Sequence, residues 1–315
     1  MASNSKESSY SVADMIAQKR GKGFNRSFEK SIPWILFAIA GVSVLTTIGI
    51  VFTLIFETFT FFSRVSVFDF ITGTEWFPFS IQNPSYGILP LISGTLKITG
   101  IAVVVAVPIG LASAIYLSEY ATDRSRRFIK PILEVLAGIP TIVFGFFALT
   151  FVTPVLKSFI PSLSIFNALS PGIVVGIMII PMIASLSEDA MSSVPNSIRE
   201  GAQALGATKL EVALKVVLPA AVSGIVASIV LAISRAIGET MIVTVAAGAS
   251  PNLSWNVTDS IQTMTAYIVQ VSTGDAGYGT TIYYSIYAVG FTLFLFTLGM
   301  NLLAQYISKR FREEY

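Results

Sequence analysis

The chain has no cysteine and no histidine among its 315 residues. The first absence excludes disulfides and thiol nucleophiles, the second excludes imidazole bases, and together they remove the usual ligands of transition metals. Most familiar catalytic constellations are therefore unavailable. Charge is scarce as well, at 12% of residues with a net of +2, so the totals suggest neither nucleic-acid binding nor a large acidic partner surface. No Gly-x-x-x-x-Gly-Lys-Ser/Thr stretch is present to hold nucleotide phosphates. What is there instead is apolar: 53% of residues are hydrophobic and the mean hydropathy is +0.74, too high for a water-soluble fold of this size. The composition places the chain in a bilayer.

A hydrocarbon core of ~30 Å needs about twenty apolar residues in a helix. Six stretches qualify, Pro33–Phe56, Leu89–Leu117, Ile132–Leu156, Pro171–Leu186, Pro219–Ala247 and Thr281–Ile307, the fourth short and the fifth long. The expected fold is an all-α integral membrane protein with six transmembrane helices. The first apolar run is long enough to span and follows a charged segment, so no cleavable signal peptide is expected. Residues 1–30, Ser-rich and charged, read as a mobile or peripheral tail on a 31–315 transmembrane domain. Basic residues choose the orientation. Lys and Arg cluster before the first span, between the second and third (Arg124, Arg126, Arg127, Lys130), between the fourth and fifth (Arg199, Lys209, Lys215) and after the last, whereas the alternate loops hold only Arg64 and Lys157. Both termini are thus expected to face the cytoplasm.

The loop on that side between spans four and five carries the most informative pattern. Ile198, Ala202 and Leu205 fall on one side of a short helix, and Leu210, Leu214 and Val217 on one side of a second, with Gly206 between them. Two short amphipathic helices at a bend, at about 195–217, form a compact knob suited to docking another subunit. A surface hairpin without a partner would share the pattern. The fifth span contributes Ser234-Arg-Ala-Ile-Gly-Glu-Thr240, with two charges at a depth where an ionisable side chain must be paired or wetted. Arg235 and Glu239 are four apart, so on a continuous helix they share a face and can pair. Ser228 and Ala232 on the same stripe leave room for a small wet cavity. A guanidinium offers five fixed donors and a permanent charge, which suits a tetrahedral oxyanion. Glu239 would hold it when the cavity is empty; an ion pair that only fixes helix packing fits the spacing too. Lys97, in the second span, reads mainly as a snorkelling residue. Pro90, Pro108, Pro140 and Pro181 interrupt spans, as in helices that line a route or pack closely.

These residues carry a resemblance. Glu200-Gly-Ala-Gln-Ala-Leu-Gly206 with Leu218-Pro219 resembles the coupling loop of ABC-transporter permeases, with Gly201 where Ala is usual. Gly138-Ile-Pro-Thr-Ile-Val-Phe-Gly145, the 234–240 segment, Tyr86-Gly-Ile-Leu-Pro90 and Gly94-Thr95-Leu96 resemble the permease subunits of the Pst high-affinity phosphate ABC transporter, from Phe28 onward. Of its two related types, the segments at 76–84 and 112–121 look like the PstC type, and the PstA type is the close alternative. The resemblance implies a type I importer (MetI-like) architecture in a bacterial inner membrane and a non-catalytic subunit that imports inorganic phosphate. It further implies no cofactor on this chain, ATP used by two PstB-type ATPase subunits, a PstA-type partner permease, an external PstS-type binding protein and membrane lipid. It places Arg235 and Glu239 in the substrate pathway and Glu200, Gly201, Ala202 and Gly206 at the ATPase contact. A permease for sulfate or molybdate, an ion-coupled secondary transporter, and a non-transporting sensor or scaffold are the competing readings.

Overall fold

The computed structural model describes residues 23–274 and 276–310. Most of the predicted tail, residues 1–22, lies outside the described residues. Helix α1 (Gly23–Phe62) already includes the rest of that tail. The chain divides into two compact units, one ending at Thr53 and one beginning at Leu54. In the first, apolar side chains such as Trp34, Phe37 and Leu45 are exposed. The hydroxyls of Thr46, Thr47 and Thr53 donate to carbonyls four residues back, which satisfies them within an apolar helix.

The second unit begins with the end of α1, a short helix α2 (Val67–Thr72) and a small antiparallel ribbon, β1 (Trp76–Phe77) against β2 (Ser85–Tyr86), with Trp76 opposite Tyr86. Trp76, Phe61, Phe70 and Tyr267 form an aromatic cluster of edge-to-face rings there. Helix α3 (Leu89–Ile115) follows and ends in a π-helical turn, Tyr116–Tyr120. Helix α4 (Asp123–Gly138) is capped by Thr122 and buries none of its residues. The third span is α5 (Thr141–Phe159), and the fourth is α6 (Leu169–Ser192). After two short helices, α7 (Asn196–Ala204) and α8 (Lys209–Ala220), come α9 (Val222–Ile237), α10 (Met241–Ala246), α11 (Met264–Thr273) and the last span α12 (Thr281–Arg310). Among the described residues five helices are long and apolar enough to cross a membrane, and six if the bent pair α8 and α9 counts as one.

Three span boundaries differ from the hydropathy reading. Ile132–Gly138 belongs to the amphipathic α4, and the third span starts only at Thr141. Pro140 is the cause: it forces Ile139 into an extended conformation and ends the helix before it. The fourth span is not short but 24 residues long, because Leu169, Ser170 and the residues up to Ser192 continue the helix past the apolar run. The fifth is not one helix. It bends by 73° between α8 and α9 and breaks again after Ile237.

The core lies where α3 and α6 pack on one another and on α5, α9 and α10. Gly172 and Gly176, four apart on α6, permit this approach. A Cβ on Gly172 would lie 2.8 Å from Ile101 Cβ, and one on Gly176 would lie 2.9 Å from the Ala102 carbonyl oxygen, the close packing that small residues allow between membrane helices. Ser187 on α6 bonds Ser228 on α9 at 2.7 Å.

At the far end of α6 a buried carboxylate ties in α4. Glu188 is 2% exposed, with Lys130 Nζ at 2.6 Å and Arg126 Nη2 at 3.8 Å, both cations over a third exposed. The asymmetry sets an expectation. Lys130→Met strips the sealed carboxylate of its nearest cation and should cost about 3 kcal/mol, whereas Glu188→Gln frees two cations that can reach water and should cost no more than about 1 kcal/mol. Denaturant unfolding in detergent would rank the two, and the opposite order would show that Glu188 is not sealed.

Candidate functional site

The charged segment of the fifth span sits at a break between helices. Arg235 occupies the last turn of α9, and Glu239 follows Gly238 outside either helix. Both charges complement the helix ends they adjoin: a cation beside the carbonyl end of α9, a carboxylate at the amide end of α10. Glu239 Oε1 accepts from the Met241 and Ile242 N–H groups at 3.1 and 3.2 Å, and the Thr265 hydroxyl donates to the Glu239 carbonyl oxygen at 2.7 Å. The expected pairing does not form. Among the described residues no ion pair within 4.0 Å links Arg235 to Glu239, because the helix ends between them and the carboxylate turns to cap α10.

The stripe of small residues also divides. Ser228 and Ala232 are sealed in helix packing, while Arg235 is exposed. It lines a cleft of about 230 Å³ together with Glu134, Pro181, Met182 and Ser185. Glu134 is thus the carboxylate that shares this cleft with the guanidinium, contributed by α4. Sequence reasoning missed it, since the amphipathic period of 123–138 gives the exposed face of α4 without showing that the face reaches α9. Lys97 also departs from its expected role. It is 7% exposed, and its ammonium nitrogen lies out of solvent contact rather than snorkelling.

The short helices α7 and α8 form a hairpin below α9. Ile198 and Ala202 pack on a cluster made by Ala114, Met191, Val194, Val212 and Val217. Leu205, expected beside them, instead points away and is 91% exposed; Leu210 and Leu214 are exposed as well, and Val217 is buried. Glu200 and Gly201 lie on the exposed face, and Gly206 closes α7 with φ of +89°. Thr208 and Glu211 form a reciprocal cap at the start of α8. The Thr208 backbone N–H, and after it Lys215, hold the Glu211 carboxyl below the usual carboxylate range.

Arg199 clamps this hairpin to the membrane helices. Its guanidinium donates to the Met191 carbonyl at 2.7 Å, to the Val194 carbonyl, to Asn196 Oδ1 at 3.1 Å and to Glu119 Oε1 at 3.2 Å. Glu119 lies in the π-helical turn after α3. Four acceptors from three segments thus converge on one side chain. The hydropathy reading counted Arg199 only as an orienting charge, and nothing in its spacing from Glu119, eighty residues away, shows the contact.

The family of binding-protein-dependent transport system inner membrane components matches residues 106–313. A probable ABC transporter permease protein, YqgH, of Bacillus subtilis (strain 168) is 34% identical over 246 residues, covering 78% of this chain and 79% of the relative. A phosphate transport system permease protein PstC of Xylella fastidiosa (strain 9a5c) is 34% identical over 258 residues, covering 75% and 77%. In fold the chain is similar to a chain of a bacterial alginate ABC transporter crystallised with an alginate pentasaccharide-bound periplasmic protein, with a TM-score of 0.62 at 17% identity, covering 91% of this chain and 98% of that one.

Proposed function

The chain belongs to the family of binding-protein-dependent transport system inner membrane components, within it to the PstC type, and from that membership we propose how it carries phosphate. It is a membrane-spanning subunit of an ABC importer for inorganic phosphate, and it works with ATPase and binding-protein subunits. Its immediate partners are a PstA-type permease, two PstB-type ATPases that consume the ATP, and a PstS-type protein that delivers phosphate from outside. In this reading both termini and the α7–α8 hairpin face the cytoplasmic side of a bacterial inner membrane, which the distribution of Lys and Arg among the loops supports.

The ATPases grip the hairpin at Glu200, Gly201, Ala202 and Gly206, and the exposed leucines beside these residues give the grip its apolar contact. A trio of uncovered leucines on a polar loop is what a docking surface presents. Closure of the ATPases on ATP pushes the hairpin, and α9 tilts with it. Phosphate passes Arg235 on its way in, held by charge-assisted hydrogen bonds. Glu239 acts in the pathway by setting the break that ends α9 at Arg235. One observation carries this reading: Arg235 opens on a cleft with no ion pair to occupy it, among the described residues.

The test uses the complex in vesicles loaded with ATP, supplied with binding protein and labelled phosphate. A charge-assisted hydrogen bond contributes ~1.5–3 kcal/mol, so Arg235→Gln should lower uptake by about tenfold or more. Unaltered uptake in that variant would refute the assigned role, and equal uptake without ATP would favour an ion-coupled carrier.

A further inference from the structure

The break that separates Arg235 from Glu239 is tied to a segment 26 residues further on. The Thr265 hydroxyl, in the first turn of α11, donates to the Glu239 carbonyl oxygen at 2.7 Å, and both residues are buried. A hydroxyl has one proton to give, so Thr263 is the donor to Thr265 Oγ1 at 3.1 Å, while it accepts from the Ala266 N–H as the cap of α11. The same end of α11 is pinned to α3. Thr95 accepts there from the Met264 N–H at 3.1 Å and donates to the Leu91 carbonyl at 2.9 Å. Gly94 allows the approach, since a Cβ on it would overlap the Gln262 carbonyl oxygen. Further along α11, Tyr267 is fully buried against Trp76, with ring centroids 4.8 Å apart. The break itself has no comparable support. A Cβ on Gly238 would meet nothing nearer than the Ser234 carbonyl oxygen at 3.7 Å. Among the described residues, the other hydrogen bonds of residues 238–240 reach no further than four positions along the chain.

We propose that Thr265 is a positioning residue for Arg235: its hydroxyl fixes the break at which α9 ends, and with it the aim of the guanidinium at the cleft. Arg235 stands in the last turn of α9, so where that helix stops decides where the side chain reaches. Gly94 and Thr95 act one step back, by holding α11 against α3. The consequence for transport rests on the reading of Arg235 as the phosphate contact, and the fixing of the break does not.

The experiment compares Thr265→Val, which keeps the shape and drops the hydroxyl, with Thr265→Ser, which keeps the hydroxyl. Uptake of labelled phosphate is measured per purified complex in ATP-loaded vesicles with binding protein. Thr265→Val should lower uptake about fivefold, the effect of one buried hydrogen bond lost, and Thr265→Ser should restore most of it. Hydrogen exchange at Met241 and Ile242, whose N–H groups Glu239 caps, should quicken in the Val variant and not in the Ser variant. A residue that acts through Arg235 adds nothing once the guanidinium is gone, so Thr265→Val combined with Arg235→Gln should transport as poorly as Arg235→Gln alone. Losses that multiply in the double variant, a Ser variant as slow as the Val variant, or exchange that Thr265→Val leaves unchanged would overturn the proposal. So would unaltered uptake in Thr265→Val beside a loss in Arg235→Gln. Full uptake in Arg235→Gln, with faster exchange in Thr265→Val, would sink the pathway reading alone.

Discussion

Gly206→Val should reduce ATP-driven phosphate uptake to background while the protein still reaches the membrane. The residue holds φ at +89°, and a Cβ there would meet nothing within 4 Å. Space is therefore not the obstacle; the backbone is. A left-handed conformation costs a residue with a Cβ ~1–2 kcal/mol, and a β-branched side chain tolerates it least. The turn is closed by the Gly206 N–H on the Gln203 carbonyl at 2.9 Å and the Ala207 N–H on the Ala202 carbonyl at 3.2 Å, a left-handed helix stop of the kind glycine permits. Relieving the strain opens these bonds and re-aims Leu205, at the tip of the knob. Gly206→Asn should keep most of its uptake, since Asn adopts this conformation more readily. The contrast separates conformation from bulk: uptake in the Val variant equal to that of the parent would mean that the shape of this turn does not carry coupling.

Arg199→Met should uncouple the complex and destabilise its cytoplasmic end. The arginine side chain is 14% exposed and that of Glu119 is 10% exposed, so its removal leaves a largely enclosed carboxylate without its cation. Breaking such a pair from one side costs ~3–5 kcal/mol, and the Met191 and Val194 carbonyls lose a donor as well. Arg199→Lys should rescue little, because an ammonium cannot reach four acceptors set out for a planar fork. Hydrogen exchange across residues 191–205 should speed up in both variants, with ATP hydrolysis persisting while uptake falls. Exchange as slow as in the parent would show that the clamp holds nothing.

The spans and the hairpin could be read from the chain because each rests on local signals. Twenty apolar residues in a row, or Ile198 and Ala202 four apart, need no knowledge of what lies across the fold. The limits of the spans were harder. Ile132 and Val135 are as apolar as any membrane residue, and only Pro140 separates them from the span they adjoin. Arg235 and Glu239 mark the other limit. Their spacing suits a pair, yet spacing assumes a continuous helix, and the break at Gly238 hands the carboxylate to the amides of Met241 and Ile242. Arg199 with Glu119, Glu188 with Lys130, and Arg235 with Glu134 bring together residues far apart in sequence. Such meetings are set by packing, so no period of the sequence contains them.

The bend of 73° between α8 and α9 makes the segment a bell crank. Its fulcrum lies at Ala221, one arm ends in the exposed leucines, and the other carries Arg235 at a radius of about 21 Å. Rotation by ~10° about that fulcrum sweeps the guanidinium through about 4 Å, more than the length of a hydrogen bond. On the proposed route, a small stroke delivered at the hairpin would thus be enough to draw the guanidinium away from a bound oxyanion.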